Sequence, residues 1–433
     1  MSDGGMPMRT FQLPYGNQEL ALSVEDKNFL FYASPVRTAP VPDQAVLLRE
    51  SLDHPIGARR LEESVRPGMK IVVIVDDVTR PTPKKMILAE VLRRLKTGGV
   101  GSGQIKIVIG LGTHRKMTQA EISRYLGDEN IQGHELVHIG YQDRSRFVNL
   151  GTSENGTPIE VYREVVEADY KVAIGNIVPH TIAGWGGGAK MIQPGVCSEA
   201  TTAVTHLMAA TQQQVLDVCG CADNLCRQEM EKIAGQVGLD FIVNTVLNEQ
   251  KRILGVFSGH YIRAHRAGVE LARQVLCPVI PAQADILVAS ANPAHIDFWQ
   301  GCKPYIFSMH GVRPGGVLIF AIDGSEGLCG NAPQHEATLR KYSLRPFEEL
   351  KELVAKGEID DVVGIHVPLF HATVRHRVTT ICVSTGFSRE DKQCLGFLHA
   401  DTLEDALKGA FAMTSPEAKV GIIPYAGETL VRM

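Results

Sequence analysis

The sequence predicts an α/β fold, with two α/β domains built on mainly parallel sheets. Three observations carry that prediction. Apolar, β-branched runs of strand length recur along the chain, helical patterns lie between them, and polar or titratable residues follow several of the runs directly. Strands that alternate with helices belong to α/β architecture. Continuous apolar runs mark strands buried on both faces, the usual state of a parallel sheet.

In chain order, the first run is "KIVVIVDD" at 70–77. Then "PKKMILAEVLRRLKTGG" at 83–99 carries apolar residues at helical spacing. It closes with Lys, Arg and Gly, as a helix C-terminus should. The next strands are "IKIVIGLGTH" at 105–114 and "YKVAIGNIVPH" at 170–180. In "LCPVIPAQ" at 276–283 two prolines precede a new strand and mark a domain boundary. Beyond it lie "ADILVASANP" at 284–293 and "GGVLIFAIDG" at 315–324, then the helical "FEELKELVAKGEID" and "DTLEDALKGAFAM". The expected division is a first domain at 1–278 and a second at 282–412. The strand-like end of the chain, 415–433, is able to return to either domain, the first included.

Composition narrows the function classes. The 433 residues are 44% hydrophobic and 21% charged, as in an ordinary globular protein. Net charge is −4 with no long run of one sign, which argues against a nucleic-acid or membrane-surface partner. No apolar run reaches the roughly 18 residues of a membrane helix. "MSDGGMPMRTFQLPYG" lacks an apolar signal core, so a cytoplasmic location is expected. There are nine cysteines. Cys219, Cys221 and Cys226 cluster in "CGCADNLC", but no second Cys/His pair follows at finger-like spacing, and reduced thiols are expected. His366, His371 and His376 lack the HExxH pattern and read as core or surface histidines.

In open α/β sheets, ligands gather at the carboxyl ends of the strands. After the first strand come Asp76, Asp77, Thr79, Arg80 and Thr82; after the second, His114 and Arg115. After the third come His180 and "GWGGGAKMIQPG", with Lys190 among small residues. After the fourth come His295, Asp297, Trp299, Gln300 and Lys303. Four such ends in succession suggest one shared site.

Each candidate also has a plain reading. The glycine loop is a turn, or a place where backbone approaches a ligand closely. It is no P-loop, because Met191 follows Lys190 where a Ser or Thr should stand. Lys190 in a tight, partly apolar setting is a neutral nucleophile, or it is a phosphate-binding cation. The pattern leaves both open. His114 and His180 at neighbouring strand ends suit a general acid and a general base, although a lone histidine there is ordinary. His206 would point back at the loop if its segment is helical. Arg80 and Lys303 suit capture of a carboxylate, or form surface ion pairs.

These residues carry a resemblance. "DDVTRPTP", "GLGTHRKMT", "GNIVPHTIAGWGGGAKMIQPG", the "TH" at His206 and "QGCKP" resemble the nickel-dependent lactate racemase family, in its order and at its spacing. The resemblance runs from about residue 10 to the end. It implies two α/β domains with the active site in the interdomain cleft. It also implies a nickel-pincer nucleotide, a pyridinium-3-thioamide-5-thiocarboxylate mononucleotide, joined to Lys190 and holding Ni(II), with His206 as the remaining metal ligand. Two sulfurs, a ring carbon and an imidazole form a planar set suited to nickel(II). His114 and His180 would be the catalytic acid and base. Asp77, Thr79, Thr82, Gly186, Gly187 and Gly188 would face the cofactor, and Arg80, Trp299, Gln300 and Lys303 the substrate.

The implied reaction is racemisation or epimerisation at C2 of a 2-hydroxy acid. Hydride leaves to the pyridinium ring and returns on the other face. Trp299 stands where lactate racemases have a tyrosine, which points beyond lactate to malate, a hydroxyglutarate or a sugar acid. The implied partners are that small acid and the cofactor-biosynthesis proteins that load the chain. Two other classes compete. A nicotinamide-type 2-hydroxyacid dehydrogenase needs GxGxxG after the first strand, and this sequence has none there. A non-catalytic nucleotide-binding protein has no need for two histidines.

Overall fold

The computed structural model describes residues 7–36 and 43–433. It is α/β, with two six-stranded sheets in two compact units.

One unit comprises the described residues from 43 to Ala209, together with Gly220–Val275. Its sheet runs in the order Ile253–Gly259, Phe241–Leu247, Tyr170–Asn176, Ile71–Asp76, Ile105–Gly110, Glu135–Val137. All neighbours are parallel except the Ile253–Gly259 edge, which is antiparallel. Every residue of Ile71–Asp76 is buried, which is why this strand reads as one unbroken apolar run. The helix Lys84–Thr97 covers the sheet with Ile87, Leu88, Val91 and Leu95, all fully buried. Their three- and four-residue spacing makes one face. Each buried aliphatic side chain contributes about 1.5–3 kcal/mol. The helix stops at Gly98, whose N–H bonds the Arg94 carbonyl.

The other unit comprises the described residues up to Val36, together with Ala210–Cys219 and Leu276–Met433. Its sheet is parallel throughout, in the order Leu398–Ala400, Thr379–Val383, Val312–Ala321, Ala284–Ser290, Val420–Ile423, Phe29–Tyr32. The division departs from the expected one at both ends of the chain. Val420–Ile423 lies beside Ala284–Ser290 and is completely buried, so its outer edge needs a hydrogen-bonded neighbour. Phe29–Tyr32 is that neighbour. The hairpin Met8–Tyr15/Gln18–Glu25 then buries Leu13, Tyr15, Leu22 and Val24 in the same core. Residues 7–36 therefore belong with the C-terminal unit.

Two strands are shorter than the sequence suggests. Ile105–Gly110 ends four residues before His114, which sits in a turn closed by its own N–H to the Leu111 carbonyl. Tyr170–Asn176 also stops early, and Pro179–His180 pairs with Gly184–Trp185 as a separate small ribbon. Among the described residues, no helix is long and apolar enough to cross a membrane.

Candidate active site

The Ile71–Asp76 strand delivers two carboxylates with different partners. Asp76 accepts the Thr82 hydroxyl at 2.5 Å and pairs with the Lys84 ammonium at 2.7 Å. Lys84 is buried at the start of its helix and also donates to the Arg80 carbonyl at 2.9 Å. Asp76 thus ties the 76–84 loop down. Asp77 accepts from the Thr79 amide at 3.0 Å, from the Thr79 hydroxyl at 2.5 Å, and from His114 Nδ1 at 2.6 Å. Burial opposes its charge, yet His114, Arg80 and Thr79 hold the Asp77 carboxyl well below the usual carboxylate range.

These bonds correct one expectation. Thr79 and Thr82 donate their hydroxyl protons to Asp77 and Asp76, so neither offers that donor to a phosphate. Their work is to shape the loop. Arg80 Nη1 donates to the Thr79 carbonyl and hydroxyl, at 3.1 Å each, which anchors a half-buried guanidinium.

The two histidines are held in opposite senses. His114 gives its Nδ1 proton to Asp77, which leaves Nε2 as the basic nitrogen of the neutral ring. His180 is buried, and its Nδ1 accepts from the backbone N–H of Ile182 at 3.1 Å and of Ala183 at 3.4 Å. Its neutral ring therefore carries the proton on Nε2. One ring is set to accept a proton and the other to donate a hydrogen bond.

Lys190 lies on a short helical turn, Gly188–Met191. The residue is partly exposed, yet its amine is crowded closely enough that desolvation dominates its titration. That desolvation, with the Arg80 and Arg227 guanidinium groups nearby, pushes the amine down to about 7. Near neutral pH a large share of Lys190 is an uncharged nucleophile.

The glycines beside it serve a different purpose from the one expected. Gly184, Gly187 and Gly188 have positive φ. A Cβ on Gly188 would meet the His265 ring at 2.9 Å, and one on Gly184 would strike the Cys221 carbonyl. A Cβ on Gly186 would meet the Asn176 carbonyl at 3.1 Å. The close approach that calls for glycine is to the protein itself. Gly186, Gly187 and Gly188 pack the loop against its own chain.

Arg227, Asn244 and His265 hold that loop, and sequence reasoning missed all three. The Arg227 guanidinium donates to the carbonyls of Ala183, Trp185 and Gly187. His265 Nε2 bonds the Gly186 carbonyl at 2.9 Å, and Asn244 Oδ1 accepts from Gly188 N–H at 2.7 Å. Their positions in the sequence hold no signal of this, because each contact spans at least 40 residues.

His206 lies on the helix Glu199–Thr211 and is 9% exposed, with Nδ1 3.5 Å from the Thr205 hydroxyl. Among the described residues, no group of three or more His, Cys, Asp or Glu is placed to hold a metal. Cys219 and Cys226 donate to the Val215 and Thr205 carbonyls, and all nine cysteines are free thiols.

In the other unit, Trp299, Gln300 and Lys303 share the first turns of the helix Phe298–Ser308, capped by Asp297. Lys303 Nζ donates to Gln300 Oε1 at 2.6 Å. Trp299 stacks on His335 at 4.5 Å between centroids, and His366 meets it edge-on at 5.1 Å. His335 is fixed in turn by Nδ1–H to Asp361 at 2.9 Å. His366 and His371 are both buried, as core histidines.

Residues 15–217 match the lactate racemase N-terminal domain. The lactate racemase of Thermoanaerobacterium thermosaccharolyticum is 26% identical over 434 residues, covering 98% of this chain and 100% of that protein. The lactate racemase of Lactiplantibacillus plantarum is 26% identical over 424 residues, covering 96% and 98%. The structure of the Thermoanaerobacterium thermosaccharolyticum lactate racemase apoprotein superposes with a TM-score of 0.86 at 25% identity, over 98% of this chain and 100% of that one. The chain carries the lactate racemase N-terminal domain over residues 15–217 and is similar to lactate racemases over nearly its whole length. A Thermotoga maritima protein of solved structure shares the fold, with a TM-score of 0.72 at 18% identity over 92% of this chain. Similarity to lactate racemases over nearly the full length indicates an isomerase of the racemase type.

The residues present here fit the nickel-based cofactor that the sequence resemblance implies. A buried amine near neutrality suits covalent attachment. A single histidine, His206, suits a metal whose other ligands arrive with the cofactor. Two buried polar atoms, Asn176 Oδ1 and Asn244 Nδ2, have no hydrogen-bond partner within the protein, which a bound group would supply.

Proposed function

We propose that this chain is a racemase or epimerase that inverts C2 of a 2-hydroxy acid, with a nickel-pincer nucleotide joined to Lys190. The observation that carries the reading is the Lys190 amine, buried and near-neutral beside Arg80 and within electrostatic reach of the Asp77–His114 pair. When bound, the pyridinium cofactor supplies the hydride acceptor and, through nickel, the electronic poise for it.

The chain supplies the rest. Lys190 anchors the group through its side chain, and His206 offers the one metal donor. Arg80 and Lys303 bind the substrate carboxylate, and Gln300 holds Lys303. His114 Nε2, made basic by Asp77, takes the hydroxyl proton from one enantiomer. His180 presents Nε2–H to the oxygen on the other side. For His180 to act as a base in the reverse sense, its Nδ1 must exchange the Ile182 and Ala183 amides for a proton. Trp299, immobilised on His335, sets the size of the acid, and we assign the substrate to the larger 2-hydroxy acids as well as lactate.

The test is intact mass and peptide mapping after co-expression with cofactor-making enzymes, then chiral analysis over a panel of lactate, malate, hydroxyglutarate and sugar acids. An added mass on the Lys190 peptide is expected. An unmodified Lys190 peptide from an active preparation would overturn the reading.

A further inference from the structure

Arg227 is fully buried, and burial pushes its guanidinium down to about 10. A buried cation is costly unless its donors are satisfied. Here they reach three backbone carbonyls of one loop: Nε to Ala183 at 3.2 Å, Nη1 to Gly187 at 3.1 Å, and Nη2 to Trp185. His265, also fully buried, covers the carbonyl between them at Gly186 and is held from behind by Arg266 at 3.1 Å. Asn244 takes the next amide, Gly188 N–H. The clamps come from three separate elements: the helices Leu225–Val237 and Arg263–Leu276, and the strand Phe241–Leu247. They converge on the residues just before the Gly188–Met191 turn that carries Lys190.

We propose that Arg227 and His265 are positioning residues that lock the 183–187 carbonyls and thereby seat the Lys190 amine in its buried, reactive place. A loop rich in glycine has more backbone freedom than any other, and ordering it needs an outside constraint. A guanidinium is suited to the task, because its rigid fork reaches several acceptors at once where an ammonium reaches them singly. The inference rests on the anchoring role proposed for Lys190, but its test reads only the unloaded chain. A failed cofactor assignment and a failed clamp therefore give different results.

The charged and titratable groups facing the amine are Arg80, Arg227, Asp77 and Cys226. The experiment labels the full-length apo chain with acetic anhydride across about pH 5.5–10, which brackets the expected Lys190 midpoint and ends just below the ordinary lysine value of about 10.4. Peptide mass spectrometry then gives the labelling midpoint of Lys190, with exposed Lys232 and Lys408 as internal standards. The wild-type midpoint is expected near 7. Arg227→Lys keeps the positive charge but loses the fork, and His265→Leu removes the Gly186 clamp without touching Arg227. In both, the midpoint is expected to rise by about one unit or more, a roughly tenfold loss of reactive amine below the midpoint. His265→Gln, which can still donate to Gly186, should restore the wild-type profile. Circular dichroism confirms the fold of each variant. Should Arg227→Lys fail to fold, the His265 pair decides alone. An unchanged Lys190 midpoint in folded His265→Leu would reduce the clamp to a structural role and overturn the proposal.

Discussion

His114 donates its Nδ1 proton to Asp77 across 2.6 Å, and Asp77 is itself fixed by the amide and hydroxyl of Thr79. The carboxylate both aims the ring and stabilises the charge it gains on taking a proton. Asp77→Asn keeps the shape and loses that charge. Turnover is expected to fall about 100-fold or more, in line with the contribution of an oriented general base. Chiral assay of kcat and KM checks it, with the loss expected in kcat. A change confined to KM would remove His114 from the proton-transfer role.

The same pair has a stability consequence with a definite sign. The folded carboxyl of Asp77 titrates below its unfolded value of about 3.9. Its contribution is therefore complete above that value and lost as pH falls through the lower folded one. Wild type should lose stability between about pH 4 and more acidic conditions, whereas Asp77→Asn, weaker at neutral pH by roughly 1–3 kcal/mol, should lose less over that range. Urea unfolding at pH 7 and pH 3 measures both slopes.

Lys190 gives a slope of the same sign in a higher pH window, but as a cost to the fold rather than a contribution. Its folded value of about 7 lies below the ordinary 10.5, so the unfolded chain binds the extra proton between those values. Stability of the apo chain should rise with pH across that window. Lys190→Met should raise the apo melting temperature at pH 6.5 by a few degrees and by much less near pH 10. Equal shifts at both pH values would mean that the amine is not buried as a cost to the fold.

The tautomers are directly observable. Nitrogen-15 NMR of the apo chain should show His114 with its proton on Nδ1 and neutral His180 with its proton on Nε2. His180→Asn places an amide oxygen where Nδ1 accepts from Ile182, so the turn should survive while turnover drops about 100-fold. A thermal melt alongside the assay separates the two effects. A variant with normal turnover would take His180 out of the reaction.

Trp299 lies flat on His335, which Asp361 holds. Trp299→Tyr keeps an aromatic face but changes the width and polarity of that wall, so the ratio of kcat/KM for lactate to that for a larger 2-hydroxy acid should change severalfold. Such a stack is worth about 0.5–1.5 kcal/mol, so the melting temperature should drop only slightly. An unchanged substrate ratio would place the choice of acid elsewhere.

Much of the site was legible because its residues follow apolar runs. Asp77 comes directly after a buried strand, His114 and His180 each four residues after one, and Lys190 in the loop that follows His180, so these placements are local in the chain. What the strand ends did not disclose was which neighbour each residue would choose. Thr79 and Thr82 looked like donors for a ligand and instead serve Asp77 and Asp76. Arg227 lies on the helix Leu225–Val237 and reads as an ordinary helix residue, because the carbonyls it caps are 40 and more residues away. Phe29–Tyr32 was passed over because four residues carry little pattern, and its place was set by the bare edge of Val420–Ile423.

The sequence by itself determined the parallel α/β class, the covering helix at Lys84–Thr97 and the chemistry gathered at the strand ends. Each of these depends on periodicity and apolar content, which act over a few residues. Only the tertiary structure decided that Phe29–Tyr32 joins the C-terminal sheet, that the glycines around Lys190 make room for His265 and Cys221, and that the two histidines hold opposite tautomers. Those outcomes depend on hydrogen-bond partners and buried neighbours brought together from distant parts of the chain, and burial makes the choice of partner count.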